Sequence, residues 1–317
     1  MHLRDEPVVI LGFGRSGTTW ISDIISKCTG QVVLFEPFHP VVFDASADLC
    51  YQINPKDFGN KVLNHLDDVF QKKYHDKWML RNHLNSPTDE LDNDFIDEVW
   101  QHITLIGFKS IRLSHSIQWL KDHVSTKIVF IIRHPLAVLA SLMNRPRFWE
   151  EYGWKFHWEI FIQRTISKED FNHNSKGYFK ELSENLSSQL EKVAFMWAIT
   201  HIISLDQLRQ INVKPVYYED FYLDPFGQSK SLLTSLTGAS GPIHPSYLFT
   251  PSMTTLRTLH GAFKGKSKNE FPQFFWEQAL TIDQVKTIWN LLETIAKHDH
   301  NLDRLLIERY SSSTFAL

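Results

Sequence analysis

Two arginines stand where a chain can hold phosphate. Arg15 lies in Gly12-Phe-Gly14-Arg15-Ser16-Gly17-Thr18-Thr19-Trp20, and Arg133 opens Arg133-His134-Pro135-Leu-Ala-Val-Leu-Ala-Ser141. In the first run the glycines let backbone N–H groups converge on one anion, and a helix starting near Thr18 sets its positive end on the same spot. In the second run a guanidinium and the Ser141 hydroxyl can clamp another anion by charge-assisted hydrogen bonds. Two further groups suit group transfer between oxygens. Glu36, in Leu34-Phe35-Glu36-Pro37, can take a proton, and Lys109, in Phe108-Lys109-Ser-Ile-Arg112, can stabilise charge on a leaving oxygen or meet an acidic acceptor.

Each of these residues needs an element to aim it. Five short β-branched and aromatic runs read as strands: Val8–Phe13, Val32–Phe35, Thr104–Lys109, Lys127–Ile132 and Lys214–Tyr218. Their near-continuous apolar character is that of strands buried on both faces of a parallel sheet. Helical patterns follow at about Thr18–Lys27, Ser114–Asp122, Pro135–Met143, Leu186–Gln210 and Ile282–His298, the last opened by the capping-box pattern Thr281-Ile-Asp-Gln284. Pro135 fits the first turn of its helix. Strand–helix alternation predicts a three-layer α/β fold, a central parallel sheet flanked by helices, with ligands at the carboxyl edge of the strands. The chain shows no repeat, low-complexity tract or linker, so residues 1–317 read as one domain. Residues 42–100 and 144–186 break the alternation and read as insertions that shape an acceptor site.

Composition sets limits. With 317 residues, 43% hydrophobic and 22% charged, the chain can bury a large core. A formal net charge of −3 excludes a global basic field for nucleic acid, so any anion site is local. Cys28 and Cys50 are too few for a secreted disulfide scaffold, although one bridge between them is open, and a reducing compartment is expected. The start at MHLRDEP carries no leader pattern, and no apolar run nears the ~18 residues of a membrane span. The expectation is a soluble cytoplasmic protein; one trimmed of an N-terminal anchor reads the same.

Gly12 and Gly17 have the spacing of the nucleotide-binding P-loop G-x-x-x-x-G-K-[ST], yet Thr18 replaces its lysine and the basic group has moved back to Arg15. That suits an adenosine 5'-phosphate with a less charged terminal group and no obligatory metal. Together the two runs resemble the sulfotransferase family that uses 3'-phosphoadenosine 5'-phosphosulfate (PAPS), and the likeness extends from about residue 7 to about residue 300. The resemblance implies a P-loop NTPase-like fold. It implies that Gly14, Arg15, Ser16, Gly17, Thr18 and Thr19 hold the 5'-phosphosulfate and that Arg133 and Ser141 hold the 3'-phosphate. It also implies that Trp20 stacks on adenine, that Tyr218, in Val216-Tyr-Tyr218-Glu219-Asp220, approaches it, and that adenosine 3',5'-bisphosphate is released. Trp276-Glu-Gln-Ala-Leu280 is a weaker match.

Within the family, the branch acting on phenols and steroids usually has Lys at the Arg15 position and a His base after Lys-[Ser/Thr]. Here Ile111 stands where that His would be, and His115 is out of register. The Arg-Ser-Gly loop followed by Phe35-Glu36-Pro37 is similar to carbohydrate sulfotransferases, and protein-tyrosine sulfotransferases also pair an Arg loop with a Glu. The resemblance thus implies Glu36 as general base, with His39 a second candidate, and a hydroxyl acceptor on a glycan or other small molecule.

Other signals are discounted. Sixteen histidines suggest metal, but the close pair His298 and His300 has no third ligand at metal-site spacing. The aromatics Phe148, Trp149, Tyr152, Trp154, Phe156 and Trp158 fit a core face more readily than sugar platforms. Lys264, Lys266 and Lys268 read equally as a solvated loop and as one that meets an anion. Two other functions stay in play: a P-loop kinase acting on a small molecule, and a non-catalytic protein that binds PAPS or its product.

Overall fold

The computed structural model describes residues 6–53, 59–84, 92–143, 154–167, 171, 173–238, 241, 243–249 and 276–310. Five strands form one sheet: β1 (Val8–Gly12), β2 (Val32–Phe35), β3 (Leu105–Ser110), β4 (Lys127–Ile132) and β5 (Val216–Tyr217). Their order is β2-β3-β1-β4-β5, and every pairing is parallel. All carboxyl ends therefore lie along one edge, with β1 at the centre.

The buried runs follow from what covers them. Helix α1 (Thr18–Thr29) follows β1, and among the described residues four helices fall between β2 and β3: α2 (Ser46–Leu49), α3 (Gly59–Phe70), α4 (Lys77–Leu80) and α5 (Asn93–His102). Next come α6 (Ile117–His123), α7 (Pro135–Met143), α8 (Trp154–Phe161) with a π-helical turn at Ile162–Ile166, α9 (Lys176–Glu184) and α10 (Gln189–Gln210). Beyond β5 are α11 (Tyr218–Leu223), α12 (Pro225–Thr237), α13 (Pro245–Phe249), α14 (Trp276–Ala279), α15 (Ile282–Ala296) and α16 (His300–Tyr310). Alternate residues of β1 enter different cores. Val9 and Leu11 join the large cluster built with α3, α6, α10 and α15, while Val8 and Ile10 pack with α1, α12 and α13. Both faces of the sheet are covered, as the apolar runs require.

The expected strands are all present, with small shifts at their ends. β5 stops at Tyr217, and Tyr218 begins a helix instead of ending a strand. The long helix starts at Gln189 because Ser188 and Glu191 close a capping box there. The predicted box at Thr281 and Gln284 also forms. Cys28 and Cys50 are unbridged. Phe161 is fully buried and Trp158 packs on the core, whereas Phe156 is exposed. Phe148, Trp149, Tyr152, Lys264, Lys266 and Lys268 lie outside the described residues.

Candidate active site

The β1–α1 loop occupies the middle of the carboxyl edge. Ser16 N–H donates to the Phe13 carbonyl at 3.1 Å, closing the turn. Arg15 and Gly17 take left-handed conformations (φ 72° and 86°). Gly17 is required on two counts: its φ is costly for other residues, and a Cβ there would lie 2.3 Å from the Tyr218 ring. Gly17 caps α1 without any side-chain hydrogen bond. The Ser16 hydroxyl is buried with no partner among the described residues. A helix start that no side chain caps and an unsatisfied buried hydroxyl are what an anion in this loop would complete. The chain's own residues thus fit a bound 5'-phosphate group.

The β4–α7 junction is tied to this loop across more than a hundred residues of sequence. Arg133 Nη1 donates to the Arg15 carbonyl at 3.0 Å, and Arg15 Nε donates to Ser141 Oγ at 2.9 Å. The Arg133 guanidinium lies 4.3 Å from the centre of the Tyr218 ring, a cation–π contact. Tyr218 thus fills the space between Gly17 and Arg133. Trp20 is 3% exposed, donates its indole N–H to the Leu248 carbonyl at 3.1 Å and meets the Tyr218 ring edge-on at 5.4 Å. The junction is braced from behind as well. The His134 N–H donates to Glu219 Oε1 at 3.0 Å, Tyr310 Oη donates to Glu219 Oε2 at 3.3 Å, and the His134 ring stacks on Trp276. Burial raises the pKa of Glu219, although the His134 N–H and Arg133 oppose the shift.

On the other side of β1, the ends of β2 and β3 form a charged cluster. Glu36 is 3% exposed and Lys109 4%, so neither is a surface group. Lys109 Nζ donates to Glu36 Oε1 at 2.8 Å, Arg112 Nη1 to Oε2 at 3.3 Å, and the Ile111 N–H to both oxygens at 3.2 and 3.3 Å. Burial raises the Glu36 pKa, but Lys109, Arg112 and the Ile111 N–H together outweigh it, and the carboxyl is held below its usual range. Lys109 also sits 4.1 Å over the Phe35 ring. Glu36 has φ 44°, and such backbone strain, about 1–3 kcal/mol, persists where surrounding contacts fix it and gathers at functional sites. His39 stacks on Trp78 at 4.0 Å. Burial, then Arg112, pushes its pKa to about 4, so it is neutral at pH 7.

Tyr51 Oη and His157 Nδ1, from the stretches 42–100 and 144–186, are 3.0 Å apart. Arg81, from the first stretch, lies 4.2 Å over the Trp78 ring. Arg164 from the second, on the π-helical turn, acts electrostatically on Cys50. His115 meets the Tyr51 ring edge-on at 5.3 Å and lies 2.9 Å from Thr200 Oγ1, with its pKa driven down to about 3 by burial. Among the described residues no group of His, Cys, Asp and Glu is arranged to hold a metal.

The structure therefore brings Arg15, Arg133, Ser141 and Tyr218 together on one side of the β1 loop, and Glu36 with Lys109 on the other. Sequence reasoning missed Arg112 as a partner of Glu36, although Lys109-x-x-Arg112 was in view. It also missed Glu219 as the brace of the second loop. Arg81, Tyr51 and His157 lie in the insertions, where no motif marks them.

A sequence model of the sulfotransferase family matches residues 7–238, and the chain belongs to that family, whose members transfer sulfuryl groups. The matched span contains the β1–α1 and β4–α7 loops and the Glu36–Lys109 cluster. No curated protein matches the chain. Similar solved structures include a sulfotransferase domain from the curacin biosynthetic pathway (15% identity, TM-score 0.42, 96% of this chain and 97% of that one). A retinol dehydratase in complex with androsterone and the inactive cofactor PAP (14%, 0.39, 92% and 81%) is another. A third is a sulfotransferase from Alicyclobacillus acidocaldarius (13%, 0.38, 97% and 98%). No described helix is long and apolar enough to cross a membrane.

Proposed function

We propose that the protein transfers a sulfuryl group from PAPS to a hydroxyl group, with a carbohydrate acceptor, and releases adenosine 3',5'-bisphosphate. The observation that carries this reading is the convergence of Arg15, Ser141 and Arg133 on one side of the β1 loop, with the Glu36–Lys109 pair on the other. The β1–α1 loop takes the 5'-phosphosulfate through its N–H groups, Ser16, Thr18 and Thr19. Arg133 and Ser141 take the 3'-phosphate, and Trp20 and Tyr218 border the adenine. The Arg15 Nε–H bond to Ser141 ties the loop that takes the 5'-phosphosulfate to the residue that takes the 3'-phosphate.

In the reaction the acceptor oxygen forms a bond to sulfur while the bond from sulfur to the bridging oxygen breaks. That oxygen departs with the bisphosphate, its charge stabilised by Lys109 and Arg15. The acceptor proton passes to Glu36, which is ionised and so in its basic form. A second reading of Glu36 is favoured by its four donor contacts and lowered pKa. In it the carboxylate positions Lys109 and Arg112, and neutral His39 takes the proton.

The test is transfer from labelled PAPS to a panel of glycans, phenols and peptides, with and without EDTA. Transfer to a glycan hydroxyl within a few-fold of the untreated rate in EDTA is the expected result. Mg²⁺-dependent transfer from ATP, with none from PAPS, would establish the kinase reading instead. Tight bisphosphate binding with no turnover on any acceptor would make the protein a binder.

A further inference from the structure

One short segment, Tyr217-Tyr218-Glu219-Asp220, joins the two donor loops to the C-terminal helix α16. It ends β5 and begins α11. Tyr218 faces forward, against Gly17 and the Arg133 guanidinium. Its neighbours face back, onto two consecutive residues of α16. The Arg309 guanidinium lies 3.8 Å from the centre of the Tyr217 ring and donates to Asp220 Oδ2, and Tyr310 Oη donates to Glu219 Oε2 at 3.3 Å.

Glu219 carries this contact to the β4–α7 junction. Its other oxygen accepts the N–H of His134, the residue after Arg133, at 3.0 Å, and its charge acts on that of Arg133. The His134 ring is held by the same helices. The Tyr310 ring meets it edge-on at 4.8 Å, and Trp276 and Trp289 lie nearly parallel to it at 5.6 and 6.1 Å. Tyr310 and His134 are both buried, so losing either bond to Glu219 leaves a polar group with little water to replace it. Such enclosed contacts fix geometry, and a guanidinium clamps phosphate only in the right orientation.

We infer that α16 belongs to the donor site: Tyr310 and Arg309 are positioning residues that set the place of Arg133 through the Tyr217–Asp220 segment, and with it the preference for a nucleotide bearing a 3'-phosphate. The inference rests on the reading of Arg133 as the 3'-phosphate ligand, and one experiment separates the two. Calorimetry gives the affinities of adenosine 3',5'-bisphosphate and AMP for the wild type, Tyr310→Phe, Arg309→Gln and Thr126→Val. Tyr310→Phe keeps the ring against His134 and removes only the hydroxyl. Thr126→Val is the structural control: it removes a buried bond to the Pro7 carbonyl just before β4, at the opposite end of that strand from Arg133.

Tyr310→Phe and Arg309→Gln should each lower the ratio of bisphosphate to AMP affinity several-fold, with AMP affinity unchanged. Thr126→Val should lower the unfolding midpoint and leave the ratio as it is. In an Arg133→Ala background, Tyr310→Phe should lower the ratio no further, because it acts through that guanidinium. A wild-type ratio in both α16 variants overturns the inference. So does an equal loss of both nucleotides, or the same change of ratio in Thr126→Val; either would make α16 a stabilising element only. If the wild type itself binds the two nucleotides equally, the 3'-phosphate reading of Arg133 fails and the inference falls with it.

Discussion

The two sides of the β1 loop are built by different physics. On the β4 side, backbone and ring contacts fix the geometry: Arg133 holds the Arg15 carbonyl, Tyr218 fills the gap to Gly17, and Glu219 anchors the next turn from behind. On the β2–β3 side, charge fixes it, with Lys109 and Arg112 converging on a buried Glu36. The first arrangement is a fixed scaffold of packing and hydrogen bonds. The second is an electrostatic balance that changes when a proton or an anion arrives. Binding and chemistry are therefore separable: damage on one side should change affinity, and damage on the other should change turnover.

Glu36→Gln should separate the two sides most sharply. The amide keeps the size but loses the basic carboxylate and its pairing with two cations. Turnover should fall by about 10²-fold or more, while bisphosphate affinity barely changes. If His39→Ala is the inactive variant and Glu36→Gln retains most of its rate, Glu36 is a positioning residue and His39 the base. Equal loss of affinity and rate in Glu36→Gln would mean that the two sides are not separable.

A smaller effect is expected from Gly17→Ala. The added methyl would meet the Tyr218 ring at 2.3 Å in a backbone conformation that side chains rarely adopt. Stability should fall by about 1–3 kcal/mol, and bisphosphate affinity should fall with it because the loop and Tyr218 move together. Denaturant melts and calorimetry on the one variant check both. A stable variant with altered affinity would show that the loop adapts without its scaffold.

Acid should weaken the scaffold before it neutralises Glu36. His115 and His134 are buried with pKa values of about 3, and His201 with one of about 4, all displaced chiefly by desolvation from 6.5. Below pH 6.5 the unfolded chain binds protons there that the folded chain does not. Stability is therefore lost as pH falls from 6.5 toward 4, by about 1.4 kcal/mol per pH unit for each fully titrating group. Unfolding midpoints across that range should fall steadily, and a flat profile would contradict the buried, neutral assignment.

How much of this was legible in the sequence differs along the same divide. The five strands read clearly because each is an apolar run buried on both faces, and the loops after β1 and β4 could be located because each is a local motif at a strand end. The contact between Glu36 and Lys109 was not legible. It depends on β2 lying next to β3 and not next to β1, an order that strand composition does not encode. The helices at 59–70 and 93–102 were missed because they are short, highly charged amphipathic segments. The helix at 225–237 carried a readable signal that went unused: Asp224 caps it at Gly227, with Pro225 in the first turn. Tyr51 and His157, 106 residues apart in sequence, meet only through tertiary packing.

The β4 side should read a second phosphate. Calorimetry of adenosine 3',5'-bisphosphate and AMP, on the wild-type protein and on Arg133→Ala, tests it most directly. A charge-assisted hydrogen bond is worth about 1.5–3 kcal/mol. The bisphosphate should accordingly bind the wild type at least tenfold more tightly than AMP, and Arg133→Ala should lose most of that difference. Equal affinity of the wild type for the two nucleotides would contradict the claim.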